Sequence, residues 1–210
     1  AFAMATAALF ERDHEALPNL LQIFSTSQYL SDLLVVDKEA YDLLRMTEGQ
    51  PVSRSALVEE LMGEVRALDN YTEVSASLRR FKRREMLRIA YGDIVRGQPV
   101  STIARQISYL ADAVVEAALD YARRHLEAQY GRPLRADGER SRFVVLGLGK
   151  LGGEELNYSS DIDLILMYEQ DGHTDARRTV TNQEYFERLA KEVIRLLTET
   201  TELGSTYRVG

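Results

Sequence analysis

Two short apolar runs, RFVVLGLG (142–149) and DIDLILMYEQ (161–170), lie close together in the chain, and their spacing limits the fold more than any other feature. Both are rich in β-branched and large aliphatic residues and read as buried strands of ordinary length. Seven residues separate Gly153 from Asp161, enough for about two helical turns. A parallel crossover takes about a dozen or more. Gly147, Gly149 and Gly152 spell GxGxxG, yet the full crossover helix of a dinucleotide-binding unit does not fit. The acidic residue of such a unit closes the second strand, whereas Asp161 and Asp163 open this one. A Walker loop is absent too, because Lys150 is followed by Leu151 and position 144, where its first glycine would fall, is valine.

The acidic pair has its own logic. Side chains at i and i+2 of a strand share a face, so Asp161 and Asp163 point the same way. Ile162, Leu164 and Leu166 fall on the opposite, buried face, with Ile165 and Met167 continuing the aspartate face into apolar cover. Two converging carboxylates repel unless a cation offsets them. Hard oxygen ligands without His or Cys suit magnesium or manganese; His14, His125 and His173 are scattered and read as ordinary. A strand ending in Gly147, Leu148 and Gly149 and leading into a short helix presents backbone N–H groups to an anion, and Lys150 adds a mobile positive charge. A phosphate-cradling turn beside a metal-binding pair is organised for phosphoryl or nucleotidyl transfer.

Upstream the texture is helical. Tyr41 and Leu44 follow an N-cap at Asp37; Leu57, Leu61, Val65 and Leu68 follow Ser53. Ile103, Ile107, Leu110, Val114, Ala117 and Tyr121 form one long stripe that Gly131 and Pro133 end. Arg79, Arg80, Lys82, Arg83 and Arg84 surround Phe81, a pattern expected of a solvated helix face, with a phosphate subsite as the alternative. Downstream, Thr181 and Glu184 make a capping box, and Phe186, Leu189, Val193, Leu196 and Leu197 give the following helix its apolar face. STYRVG begins like a third strand. The expected organisation is a helical segment, 1–140, and an α+β core, 141–210.

Composition narrows the class. With 45% hydrophobic and 28% charged residues, the chain reads as neither disordered nor membrane-spanning, and no apolar run approaches the roughly 20 residues of a spanning helix. The start, AFAMATAALFERDHE, lacks a basic leader and does not read as a signal peptide. The absence of cysteine rules out disulfides and thiolate metal sites and fits a reducing compartment, so a cytoplasmic location is expected. A net charge of -7 argues against a nucleic-acid partner.

GLGKLGGEELNYSSDIDLILMY closely resembles the core motif of the glutamine synthetase adenylyltransferases, members of the nucleotidyltransferase superfamily that includes DNA polymerase beta. LRRFKRREMLRIAYGDI, LADAVVEAALDYARRHLEAQYG and YFERLAKEVIRLLTETTELGSTYRV look like the family's flanking segments. The resemblance implies a polymerase-beta-like core, a small mixed sheet with flanking helices. It also implies Mg2+ or Mn2+ as cofactor, ATP, ADP and phosphate as substrates or products, and glutamine synthetase as protein substrate, with a PII-type regulatory protein as a further partner. ELNYSSDIDLI and RRFKRREMLRIA look more like the N-terminal half, which removes AMP from a tyrosine by phosphate attack, than the half that attaches it.

By position, Asp161 and Asp163 would bind the catalytic metals. Gly149 and Lys150 would meet the nucleotide phosphates, with Gly152 and Gly153 shaping the turn, and Ser159 and Ser160 would fix the approach or touch a phosphate oxygen. The family continues Tyr-Arg-Val-Asp, its third metal carboxylate, where this chain reads Tyr207, Arg208, Val209 and Gly210. The core is therefore expected to be incomplete at its C-terminus, and a domain that binds nucleotide or a regulatory partner without turnover is the competing expectation. Transfer to another acceptor, such as an antibiotic or a nucleic acid, is a third.

Overall fold

A computed structural model describes residues 16–36, 47–200 and 204–210. The helices are α1 (Ala16–Thr26), α2 (Gln28–Val36), α3 (Arg54–Arg66), α4 (Tyr71–Ile94), α5 (Val100–Tyr130), α6 (Gly149–Gly152) and α7 (Asn182–Thr198). The strands are β1 (Pro133–Arg135), β2 (Phe143–Gly147), β3 (Leu164–Tyr168) and β4 (Gly172–Thr174). The class is α+β, as the sequence indicates. The helix expected after Asp37 lies outside the described residues.

The chain divides into two compact units, 1–51 with 83–103 and 52–82 with 104–210. In the first, Ile23, Leu30, Leu34, Leu87, Ala90 and Tyr91 form the core. Gly49, at φ +67°, lies against Gly92 so closely that a Cβ there would come within 2.5 Å of the Gly92 nitrogen. Buried Arg88 donates to Glu85 (2.7 Å) and to the Gln50 carbonyl (2.5 Å).

The second unit carries the strands. Ser53 caps α3 by accepting from the Ala56 amide, and Leu57, Leu61 and Val65 are buried. Gln106 of α5 both accepts from the Val52 amide and donates to its carbonyl, fastening the start of α3. Asp120, buried on α5, accepts from Arg66, Arg123 and Arg124. The capping box of Thr181 and Glu184 opens α7, whose Phe186, Leu189, Val193, Leu196 and Leu197 are buried, as their spacing predicts.

β2 and β3 pair antiparallel, Phe143 opposite Tyr168 and Gly147 opposite Leu164. β1 and β4 form a separate antiparallel pair. The short link thus makes an antiparallel arrangement, as the lack of room for a crossover requires. The mixed character comes from a single parallel bridge, Ile162 to Val209, which is all that the third strand amounts to among the described residues.

One expectation needs correcting. The strands are not buried on both faces: Phe143, Val145, Gly147, Leu164 and Leu166 are half-buried, whereas Val144, Leu146, Ile165 and Met167 are exposed. Phe186 stacks on Phe143 and Tyr168 at 5.3 and 5.0 Å between ring centroids, so α7 covers one face of the pair. Ile165 and Met167, expected to carry the aspartate face into apolar cover, stand 41 and 47% exposed.

Asp120 makes a testable contribution to stability. Burial alone would raise its pKa, but the hydrogen bonds from Arg66 and Arg124 hold it below the ordinary carboxylate value. A group whose folded pKa lies below its unfolded one stabilises the fold above the unfolded pKa, about 3.9 for Asp, and loses that contribution as pH falls through the folded value. Asp120→Asn is expected to cost about 2 kcal/mol at pH 7, below the figure for a fully buried pair because the arginines are partly exposed. Urea denaturation at pH 7 and pH 3 should show the gap between the two proteins closing in acid.

Candidate functional site

The turn after β2 is shaped by close backbone contact. A Cβ on Gly152 would lie 2.5 Å from the Gly147 carbonyl oxygen, and one on Gly147 would lie 2.8 Å from the Leu151 side chain. Glycine is required at both. Gly153 meets no comparable obstruction, its nearest contact being 3.4 Å. Gly149 adopts φ +52°, a left-handed conformation that glycine adopts without steric cost. α6 that follows is one turn long, too short to sum a macrodipole over many residues. The first N–H groups of such a turn have no intrahelical acceptor, and Leu148 caps it without a side-chain hydrogen bond.

The Leu148 amide donates to the Asp163 carbonyl at 2.9 Å. That contact brings the turn to the acidic pair: a Cβ on Gly149 would lie 3.2 Å from Asp163 Oδ2. Asp161 and Asp163 are both exposed and flank Ile162, which is fully buried. Exposure thus alternates from Asp161 to Asp163, the pattern of an extended segment with one face buried. Lys150 is exposed on the turn and, among the described residues, forms no ion pair.

Between α6 and the aspartates, the Leu156 amide donates to Ser108 Oγ on α5 (3.2 Å), and Leu156 itself is buried. Ser159 and Ser160 both donate through their hydroxyls to Asn157 Oδ1, at 3.3 and 2.8 Å. Ser160 Oγ also accepts from the Asn157 amide. These two serines therefore fasten the turn that delivers Asp161.

The C-terminal segment completes the corner. Ile162 donates to the Arg208 carbonyl (3.0 Å), Gly210 donates to the Ile162 carbonyl (3.1 Å), and Leu164 donates to the Gly210 carbonyl (3.4 Å). A Cβ on Gly210 would stand 2.6 Å from Asp163 Oδ1, so any side chain at this position would crowd that carboxylate. Arg208 bonds Asp161 Oδ1 through Nε at 2.5 Å and the Ser159 carbonyl at 3.2 Å. The sequence reading missed Arg208; its only signal was a cation two residues before the expected third carboxylate. Both partners of the Arg208–Asp161 pair are more than half exposed, and such pairs contribute about 0–1 kcal/mol, so the guanidinium is readily displaced.

The donor set fits a hard divalent cation in part. It offers two carboxylates on one face and a glycine-lined space beside Asp163, while position 210 supplies no ligand oxygen from a side chain. No group of three His, Cys, Asp or Glu side chains able to hold a metal occurs among the described residues. A cavity of about 490 Å³ opens elsewhere in this unit, at the Phe143 end of β2, and a smaller one of about 230 Å³ lies beneath Val145 and Leu151. Neither includes the aspartates. The larger is rich in arginine, but Arg135 is paired with Asp137 and Glu169, and Arg140 with Glu127. The chemistry-bearing groups converge at the open corner instead.

A family model described as glutamate-ammonia ligase adenylyltransferase matches residues 17–210. The chain is 36% identical over 213 residues to the bifunctional glutamine synthetase adenylyltransferase/adenylyl-removing enzyme of Pseudomonas aeruginosa, covering 99% of this chain and 22% of that protein. The proteins of the same name from Chromobacterium violaceum and Nitrosococcus oceani are 38% and 42% identical over 184 and 154 residues. These matches cover 87% and 72% of this chain and 20% and 16% of the relatives. The chain thus spans about a fifth of the length of the curated relatives it matches. No helix among the described residues is long and apolar enough to cross a membrane.

Substituting Gly152→Ala drives a methyl group into the Gly147 carbonyl and should destabilise the second unit by about 1–3 kcal/mol. Gly153→Ala should stay within about 0.5 kcal/mol. Chemical denaturation of the two variants side by side distinguishes a turn set by backbone contact from one that merely tolerates glycine.

Proposed function

The chain belongs to the glutamate-ammonia ligase adenylyltransferase family, and we propose that its aspartate corner is a metal-dependent site for nucleotidyl transfer at the adenylylated tyrosine of glutamine synthetase. The observation that carries this reading is the approach of the Gly149 turn to Asp163, with Asp161 two residues away across a fully buried Ile162.

Asp161 and Asp163 would hold Mg2+ or Mn2+, which when bound supplies charge compensation for the departing oxygen. The remaining work falls to the polypeptide. The amides of Gly149, Lys150 and Leu151 and the Lys150 ammonium offer donors to phosphate oxygens, with Gly152 permitting the tight turn behind them. Gly153 contributes little beyond continuity. Ser159 and Ser160 act by fixing the turn before Asp161. Arg208 neutralises Asp161 in the resting site and must swing aside or redirect its guanidinium to a phosphate oxygen when the site is loaded.

In the removing direction, an oxygen of inorganic phosphate attacks the phosphorus of the tyrosyl-AMP diester. The new P–O bond forms as the bond to the tyrosine oxygen breaks, giving ADP and free tyrosinate, which then takes up a proton from water. No side-chain nucleophile is needed, and positioning with charge compensation supplies most of the rate. We assign this chain to AMP removal on the flavour of ELNYSSDIDLI. AMP attachment from ATP is the same in-line displacement with the tyrosine oxygen attacking. A cytoplasmic setting and control by a PII-type protein belong to the same reading. Gly210 in place of a third carboxylate favours the second reading, a domain that binds nucleotide or a regulatory partner without turnover.

Phosphate-dependent ADP release from adenylylated glutamine synthetase separates the two. The full-length natural protein is expected to exceed its Asp161→Asn variant by at least about 10³-fold, as loss of a metal-holding, transition-state group implies. Equal product from both, in this direction and in AMP attachment, would leave only the binding reading.

A further inference from the structure

Two members of the basic run on α4, Arg79 and Lys82, donate to backbone carbonyls of the C-terminal segment. Tyr71, Ser75, Arg79 and Lys82 recur at helical spacing and so share one face of α4, and that face holds the chain where it leaves α7. The Tyr71 hydroxyl donates to Glu199 Oε2, and Arg195 lies over the Tyr71 ring at 4.2 Å. Arg79, buried to 3% exposure, donates to the Gly204 carbonyl at 2.8 Å, to the Glu199 carbonyl, and to both the carbonyl and the hydroxyl of Ser75. Lys82 donates to the Thr206 carbonyl, and its ammonium sits over the Tyr207 ring at 4.0 Å. Arg80, on another face, is exposed.

The Glu199, Gly204 and Thr206 carbonyls that accept from Arg79 and Lys82 belong to the end of α7 and the segment that leads to the C-terminal residues. The last carbonyls of a helix lack intrahelical partners, and Glu199 is the C-cap residue of α7. The backbone then runs through Thr206 and Tyr207, whose amide donates to the Leu197 carbonyl at 2.8 Å, directly into the 208–210 segment. Three backbone hydrogen bonds from that segment grip Ile162 and Leu164, the residues on either side of Asp163. Burial pulls the Lys82 ammonium down to about 8, which is the cost of holding a cation in this position.

We infer that Arg79 and Lys82 are positioning residues for the metal site: they fasten Glu199, Gly204 and Thr206 to α4 and thereby hold the 208–210 segment that keeps Asp161 and Asp163 in place and sets position 210 beside Asp163. This rests on the reading of the aspartates as metal ligands. Loosening the fastening also frees Arg208 from Asp161, which by itself would favour a cation, so the test removes that competition first.

In the full-length protein carrying Arg208→Gln, Mn2+ affinity is titrated by electron paramagnetic resonance. Adding Lys82→Met is expected to weaken binding at least tenfold, whereas Lys82→Arg, which keeps a cationic donor, should stay within threefold of the parent. No loss in either variant, or an equal loss in both, overturns the inference. A parent that binds no Mn2+ overturns instead the metal-site reading beneath it. A second measurement needs no variant: hydrogen exchange on the metal-free natural chain should show the Ile162 and Gly210 amides protected at least a hundredfold. Exchange of both at the rate of free peptide would overturn the inference whatever the fate of Lys82→Met.

Discussion

The corner depends on one backbone hydrogen bond, from the Leu148 amide to the Asp163 carbonyl. It extends the β2–β3 ladder by one step past Gly147 and Leu164, and so forces the glycine turn to reverse beside the second aspartate. The turn reverses there because Gly147 and Gly152 carry no side chains: a Cβ on Gly152 would strike the Gly147 carbonyl, and one on Gly147 the Leu151 side chain. On the other flank, the 208–210 segment closes around Ile162, whose side chain is fully buried while its neighbours on both sides stay at the surface. Burial of one apolar residue thus orients two acids.

The electrostatics follow from that geometry. Of the two exposed carboxylates, Asp161 is already bonded to a cation, Arg208, and Lys150 is exposed on the turn after β2. The corner is left with acceptor oxygens on Asp163 beside the Gly149 turn. Its walls are open and partly apolar, since Val144, Leu146, Leu148, Ile165 and Met167 remain exposed on the same face.

Charged residues buried elsewhere have architectural work. Arg79, Arg88 and Asp120 are each almost fully buried and each satisfied by several partners, as burial of a charge requires. In the linear sequence Arg79 and Arg88 belong to the same basic stretch as exposed Arg80, and nothing in the spacing separates an arginine that caps a distant carbonyl from one that faces water. The acceptors of Arg79 on the C-terminal side lie more than a hundred residues away in the chain. Pairing of Arg208 with Asp161 was hidden for the same reason.

Local rules carried a good deal. The caps at Ser53 and Thr181, the long stripe of α5 and the apolar face of α7 all depend on contacts between residues a few positions apart, so periodicity reveals them. The shortness of the link between the two runs excluded a crossover for the plain reason that a chain has finite reach. Tertiary structure alone decided which strand face α7 would cover and that Gly152 must be glycine because of Gly147. It alone decided that a basic helix face would tie down the strand beside the acids. Each of these depends on which distant groups meet, and for a buried charge or a crowded backbone the identity of the neighbour, not the residue's own chemistry, sets the role.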